Sequence, residues 1–243
     1  MNATPLRRGA YGYDAPYAPI LMIFGGACLL ALSVSQLWGG EGAATQHGQI
    51  RACAMGLEGL GLFLIAGIYI HFTRAGKFSI WAKLLDHLGL KGDERLLDIG
   101  CGRGAVLLMA AQRLPSGQAV GVDIWSKTDQ SGNAEKVTRQ NAVLEGVADR
   151  VELHTADMRA LPFADGSFDV VVSSLAIHNV HGAGERAKAL REAARVLKKG
   201  GKLAIADIRH TRAYARELEA CGLKITESRR LFGLFRLVAA IKP

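Results

Sequence analysis

Four kinds of residue in this chain have the type and spacing to do chemistry. The first is Asp98-Ile99-Gly100-Cys101-Gly102-Arg103-Gly104, an acid followed by glycines at alternate positions. Glycine there lets a backbone turn tightly and approach a ligand without a side chain in the way. The second is Asp123, which ends the apolar run Ala119–Asp123, 19 residues beyond Gly104. A carboxylate at such a strand end can accept two ribose hydroxyls, as in dinucleotide-binding folds. The third is His154-Thr155-Ala156-Asp157-Met158, another run that ends in an acid. The fourth is His178, in Ser173-Ser174-Leu175-Ala176-Ile177-His178-Asn179. A histidine in such a loop is a candidate general base, with substrate orientation or packing as its other reading.

These residues need elements to hold them. From Glu94 onward short apolar runs alternate with helix-like stretches, which predicts a parallel sheet flanked by helices. Strands are expected near 95–99, 119–123, 150–154, 169–174 and 202–207, with helices near 104–114, 133–145, 184–198 and 211–221. Leu223–Ser228 and Phe232–Lys242 read as a closing hairpin. All the candidate loops then fall at the carboxyl ends of strands, where open α/β sheets bind ligands. Gly200-Gly201 reads as a left-handed helix cap before the fifth strand.

The glycine spacing decides between ligands. A pyrophosphate fingerprint, G-x-G-x-x-G, needs its third glycine three residues after the second, whereas here it comes after two. D-x-G-x-G-x-G resembles motif I of class I methyltransferases that use S-adenosylmethionine (SAM). Leu161-Pro162-Phe163-Ala164-Asp165-Gly166-Ser167-Phe168-Asp169 is similar to the L-P-F-x-D-x-S-F-D run of the ubiquinone/menaquinone-biosynthesis type. Arg195-Val196-Leu197-Lys198-Lys199-Gly200-Gly201 resembles R-x-L-K-P-G-G, with Lys199 in place of proline. The resemblance covers about Leu90 to Lys242.

It implies a Rossmann-like α/β fold, a seven-stranded, mostly parallel sheet with a C-terminal antiparallel hairpin. SAM is the implied cofactor, held by Asp98, Gly100, Cys101, Gly102, Gly104, Asp123, Ile124, Asp157, Met158 and Ser174. In the resemblance Asp157 receives the adenine amino group and Met158 packs on the ring. His178 is the candidate base. Trp125, Asp129, Gln130, Asn133 and Asn179 are candidate substrate contacts, with turn and N-cap roles as the other reading. Arg103 faces either the ligand's carboxylate or solvent. Asp165, Ser167 and Asp169 read as local turn and hydrogen-bonding residues. No metal site is expected. A nicotinamide-dependent oxidoreductase and a catalytically silent SAM-binding membrane module are the alternatives; the first is disfavoured by the glycine spacing and the lack of S-x-x-x-Y-x-x-x-K.

The rest of the chain differs in character. Of 243 residues 49% are apolar and the net charge is +8. The basic residues are scattered rather than blocked, which argues against a nucleic-acid tail, and the absence of N-P-P-[YF] disfavours nucleic-acid amino methylation. Cys28, Cys53, Cys101 and Cys221 form no C-x-x-C pair, so they read as buried small hydrophobes rather than disulfides or zinc ligands. Cys101, at a helix start, has thiol activation as its other reading.

After a polar tail (residues 1–19), Ile20 to Leu37 carries no charge, and Cys53 to Ile70 carries only Glu58. About 20 residues span a hydrocarbon core, so spans are expected near 20–38 and 53–72. Trp38, Tyr69 and Phe72 sit where aromatics favour the interface. Gly56, Gly59, Gly61 and Gly67 mark a face for close helix approach. Arg7 and Arg8 before the hairpin, and Arg74, Lys77 and Lys83 after it, outnumber Arg51 in the connector, where Glu41 also lies. That bias places both ends in the cytoplasm. The expectation is a multi-pass membrane protein with residues 92–243 as a cytoplasmic domain acting on a small, lipophilic acceptor. In the linker, 74–91, Phe78, Trp81, Leu84, Leu85 and Leu88 form a helical stripe, read as core contact, membrane contact or a lid.

Overall fold

The computed structural model describes residues 7–38 and 45–243, which fall into two compact units: Tyr13–Lys77, and 7–12 together with Phe78–Pro243. Glu41 and the first six residues of the tail lie outside the described residues.

The first unit is a helix pair. α1 spans Tyr17–Trp38 (22 residues) and α2 spans Gln46–His71 (26 residues). α2 begins seven residues before the expected span because Thr45 caps it, its hydroxyl accepting from Gly48 N at 3.1 Å. The helices are antiparallel: Ser33 Oγ donates to Ala52 O (2.6 Å) and Tyr69 Oη to Asp14 O (2.6 Å). They touch at Gly26 and Gly59, where a Cβ on either would lie 2.9 Å from the other's carbonyl oxygen. Gly56 faces Ser33, but Gly61 and Gly67 have nothing within 4 Å of a notional Cβ. Only half of the expected glycine face is therefore an interface. Apart from that seam the helices turn large apolar side chains outward, with Phe24 68% and Leu57 70% exposed.

A five-residue π-turn, Phe72–Gly76, follows α2, with Thr73 Oγ1 bonding back to the Tyr69 and Ile70 carbonyls. α3 is Lys77–His87. Its stripe is core: Trp81 and Leu85 are fully buried, and Phe78, Leu84 and Leu88 nearly so.

The second unit holds a seven-stranded sheet in the order β3-β2-β1-β4-β5-β7-β6. The strands are β1 Arg95–Ile99, β2 Gln118–Asp123, β3 Val151–Thr155, β4 Phe168–Ser174, β5 Leu197–Asp207, β6 Lys224–Phe232 and β7 Phe235–Ile241. β1 to β5 run parallel, and β7 inserts antiparallel between β5 and β6. The crossover helices are α4 Ala105–Ala111, α5 Glu135–Leu144, α6 Ala183–Val196 and α7 Thr211–Ala220. Central strands are buried on both faces, so they read as continuous apolar runs. Leu97, Val120, Val171, Leu203 and Val238 carry the core across the sheet.

Gly200-Gly201 does not cap α6. The helix ends at Val196, Leu197 is already extended, and Gly200 (φ +75°) sits in a bulge where five residues of β5 span two of β4. Gly200 N and Gly201 O bond Lys242, so the left-handed residue serves the strand rather than the helix.

Candidate active site

The strand order reverses between β1 and β4, and the loops after these two strands meet there. A Cβ on Gly100 would lie 2.2 Å from the Cβ of Ala176 and 3.6 Å from Met158 Cε. Glycine at 100 therefore lets the β1 and β4 loops close on each other, and it brings Met158 to the same point. Three non-glycine residues with positive φ, Trp125 (61°), Leu175 (54°) and His210 (60°), stand just beyond β2, β4 and β5. Such left-handed conformations cost energy and gather at functional sites. Here they line the edge that the sequence singled out.

The glycine turn itself is held by β2: Gly100 N and Cys101 N both donate to Val122 O. Gly104, at φ +86°, leads into α4. Asp123 Oδ2 accepts from Gly102 N (2.8 Å), and Oδ1 accepts from Trp125 N (2.6 Å) and Asn133 Nδ2 (3.2 Å). Burial pushes this carboxyl up, against those three bonds. They use three of about four acceptor positions. Two ribose hydroxyls could be bound only by displacing one of them.

Asp98 is 1% exposed and its Oδ1 has no hydrogen-bond partner among the described residues. Desolvation pushes its carboxyl up to about 7, and the neighbouring Asp123 adds to this. A buried acid beside a glycine turn, bonded by the Leu107 backbone but with one oxygen unpartnered among the described residues, fits a cationic ligand group, and the ammonium of SAM is one. Ile124, 64% exposed, and Met158 offer apolar surface next to Asp123 and Gly100. These residues fit SAM.

Asp157 is clamped by Arg159, whose Nε lies 2.9 Å and 3.0 Å from its two oxygens; the guanidinium holds the carboxyl low. It can take an adenine amino group only while sharing oxygens with that arginine. Ser174 Oγ accepts from the buried indole of Trp81 (2.8 Å). Cys101 is buried and its thiol is pushed well up by desolvation, so it packs rather than reacts.

The loop after β2 folds over the glycine turn. Gln130 Oε1 accepts from Arg103 N (2.9 Å) and would lie 2.4 Å from a Cβ on Gly102. Gly102 takes φ +52°, a conformation that favours glycine, and a side chain there would also push the Gln130 amide aside. Arg103 Nη1 donates to Ser131 O at 2.8 Å, while its buried Nε has no hydrogen-bond partner among the described residues. Asn133 is buried with Oδ1 unsatisfied among the described residues. Trp125 Nε1 donates to Thr155 Oγ1 (2.7 Å), and Asp129 is exposed. Asp169 bonds Arg95 N and Lys198, and Ser167 bonds Ala164 O, both local roles.

His178 lies in a single 3-10 turn, Ile177–Asn179, that also holds Asn179. Its backbone N donates to Asp207 Oδ2 (3.1 Å), and its ring Nδ1 lies 2.6 Å from Asp207 Oδ1, off the line of a straight hydrogen bond. Asp207 ends β5, is fully buried, and accepts from Ile208 N and Tyr214 Oη. Sequence reasoning missed Asp207, although an acid closing the apolar run Leu203–Asp207 repeats the pattern of Asp98 and Asp123.

It also missed a strap at the N-terminus. Glu145 Oε1 accepts from Arg8 N, Gly9 N and Tyr11 Oη, while Asn141 bonds both polar atoms of the Ala10 backbone and Arg103 O. Gln130 Nε2 reaches Tyr11 O at 3.3 Å. Residues 7–12 thus lie across α5 and the loop that covers the glycine turn.

The seven-stranded sheet shares its fold with solved SAM-dependent methyltransferases. Residues 97–205 match the family model described as a methyltransferase domain. The chain is 37% identical over 127 residues to 27-O-demethylrifamycin SV methyltransferase of Amycolatopsis mediterranei, covering 51% of this chain and 42% of that protein. It is 35% identical over 131 residues to the ubiquinone/menaquinone biosynthesis C-methyltransferase UbiE of Dinoroseobacter shibae, covering 54% and 49%. The chain thus spans under half the length of these two relatives. Geranyl diphosphate C-methyltransferase from Streptomyces coelicolor, solved with S-adenosyl-L-homocysteine, shares the fold with a TM-score of 0.57 at 19% identity, over 72% of this chain and 82% of that one.

Proposed function

We propose that this protein is a membrane-anchored enzyme that transfers a methyl group from SAM to a small, lipophilic acceptor on the cytoplasmic side of the cell membrane. The observation that carries the anchoring is the outward surface of α1 and α2. A core helix of a soluble protein hides its apolar residues, whereas Ile20, Leu21, Phe24, Leu57 and Leu64 are each more than 60% exposed. Helices of 22 and 26 residues are long enough to cross a bilayer. Glu58 is exposed on α2, and in lipid it costs about 2.5–3.5 kcal/mol unless it protonates or reaches the interface.

SAM, when bound, supplies an activated methyl group. Asp98 pairs with its ammonium, and the glycine turn with Ile124 and Met158 shapes the rest of its site. The chain's own work is then to orient the acceptor, exclude water and remove a proton. Asp207 Oδ1, 2.6 Å from His178 Nδ1, favours a proton on that nitrogen electrostatically, and Nε2 would then be the lone-pair nitrogen. His178 Nε2 would accept the proton that the acceptor's nucleophilic atom gives up. An acceptor with an ionisable hydroxyl, or an acidic carbon, suits this arrangement best. Trp125, Asp129, Gln130, Asn133 and Asn179 are the proposed contacts of that acceptor.

Topology tests the anchoring. A reporter fused after Pro243 should read cytoplasmic and one inserted at Thr45–Gln49 external, and the protein should stay in membranes through an alkaline wash. Release by that wash would reject the spanning helices.

A further inference from the structure

The tip of the β6–β7 hairpin is built against its own fold. Phe232 and Phe235 close it, Gly233 takes φ +51°, and Leu234 is the other turn residue. Gly233 supplies the positive φ that the first central position of such a turn takes. Here Phe232 is 51% and Leu234 74% exposed. One step down, Arg230 and Arg236 stand directly opposite each other across the hairpin, a like-charge pairing that destabilises a sheet. Neither has an ion-pair partner among the described residues, and next to them Arg229 has only Glu227.

The tip also lies where the chemistry is. Arg236 pairs in register with Asp207, so residues 232–235 project just past the carboxyl end of β5, the edge that holds His178. Arg209 and Arg212, both exposed, follow β5 at that edge. An apolar fingertip flanked by arginines, of which Arg230 and Arg236 have no ion-pair partner among the described residues, suits one medium. Acyl chains at the membrane boundary take Phe232 and Leu234, while lipid phosphates take the guanidinium groups.

We infer that the β6–β7 tip docks the active-site edge onto an anionic lipid surface, with Phe232 and Leu234 inserted and Arg229, Arg230 and Arg236 on the headgroup phosphates. The inference deepens the reading of a lipophilic acceptor and rests on it for its purpose, since a docked edge presents His178 toward molecules dissolved in the bilayer. The docking itself is carried by the hairpin.

The test uses the full chain in lipid nanodiscs. Cys28, Cys53 and Cys221 are replaced by serine, the buried Cys101 is kept, and Leu234→Cys carries a bimane label. Spin-labelled lipid should quench the label strongly in discs containing phosphatidylglycerol and weakly in phosphatidylcholine discs. Arg229→Ala with Arg230→Ala should lower the docked-to-undocked ratio about fivefold per arginine. A label at Glu219→Cys should stay unquenched. Phe232→Cys serves as a second site if the first variant melts early. Quenching that is absent in phosphatidylglycerol discs, or indifferent to lipid charge and to the arginines, overturns the proposal. So does a label shift in detergent that grows with protein concentration, which would seat a second copy on the tip. Co-elution of the chain with the discs is scored separately, so a failure of anchoring is distinguished from a failure of docking.

Discussion

The His178 ring nitrogen Nδ1 stands 2.6 Å from a carboxylate oxygen of Asp207, and the His178 backbone N–H donates to the other oxygen. One buried acid at the end of β5 therefore sets both the backbone and the ring of a residue that follows β4. His178→Ala should lower methyl transfer by about 10²-fold or more while the SAM Kd stays unchanged. Asp207→Asn should shift the balance between the two ring tautomers, visible in long-range nitrogen NMR of the imidazole. An unaltered tautomer in Asp207→Asn would separate the two residues.

Asp98 should couple SAM binding to pH. Its carboxyl is pushed up to about 7 by burial, so it is protonated in the free fold below that value. Because this folded pKa is raised, the group's contribution to stability is full below the unfolded value of about 4 and is lost as pH rises through about 7. An arriving ammonium favours the ionised form. Calorimetry near pH 6, in buffers of different ionisation enthalpy, should show up to one proton released per SAM bound. Asp98→Asn should release none and bind more weakly.

Gly26 and Gly59 should tolerate no side chain. Gly26→Val would put its Cβ 2.9 Å from the Gly59 carbonyl oxygen and part the helices, costing about 1–3 kcal/mol. Gly61→Ala and Gly67→Ala meet nothing within 4 Å and should be neutral. Thermal melts of the detergent-solubilised chain would rank the three.

Trp81→Ala removes a fully buried side chain and its bond to Ser174, at a cost of about 3–5 kcal/mol. The loss should appear equally in membranes and in detergent. A loss confined to membranes would return the Phe78–Leu88 stripe to a lipid-facing role.

These residues show what could be read in advance. The strands that carry Asp98 and Asp123 were legible because a doubly covered parallel strand is a short apolar run, and the acid marks where it leaves the core. The stripe on α3 was legible as amphipathic, but its partner was not, since periodicity shows a face without showing what covers it. Asp207 was hidden because its role depends on two loops, after β4 and β5, that only the sheet order brings together. The strap at residues 7–12 has no periodic signal at all. Its partners, Asn141 and Glu145, are four apart on one face of α5, a spacing that fits many exposed helices. Gly102 was legible as a glycine position because the turn gives it a left-handed backbone, yet its neighbour Gln130 comes 28 residues later.

The central claim is methyl transfer from SAM to an acceptor that lives in the membrane. Membranes containing and lacking the protein, each supplied with SAM labelled in the methyl group, test it most directly. Label should enter the organic-extractable fraction only where the protein is present, and His178→Ala should abolish most of it. Label that stays entirely in the aqueous phase, or reaches the extract equally without the protein, would contradict the account.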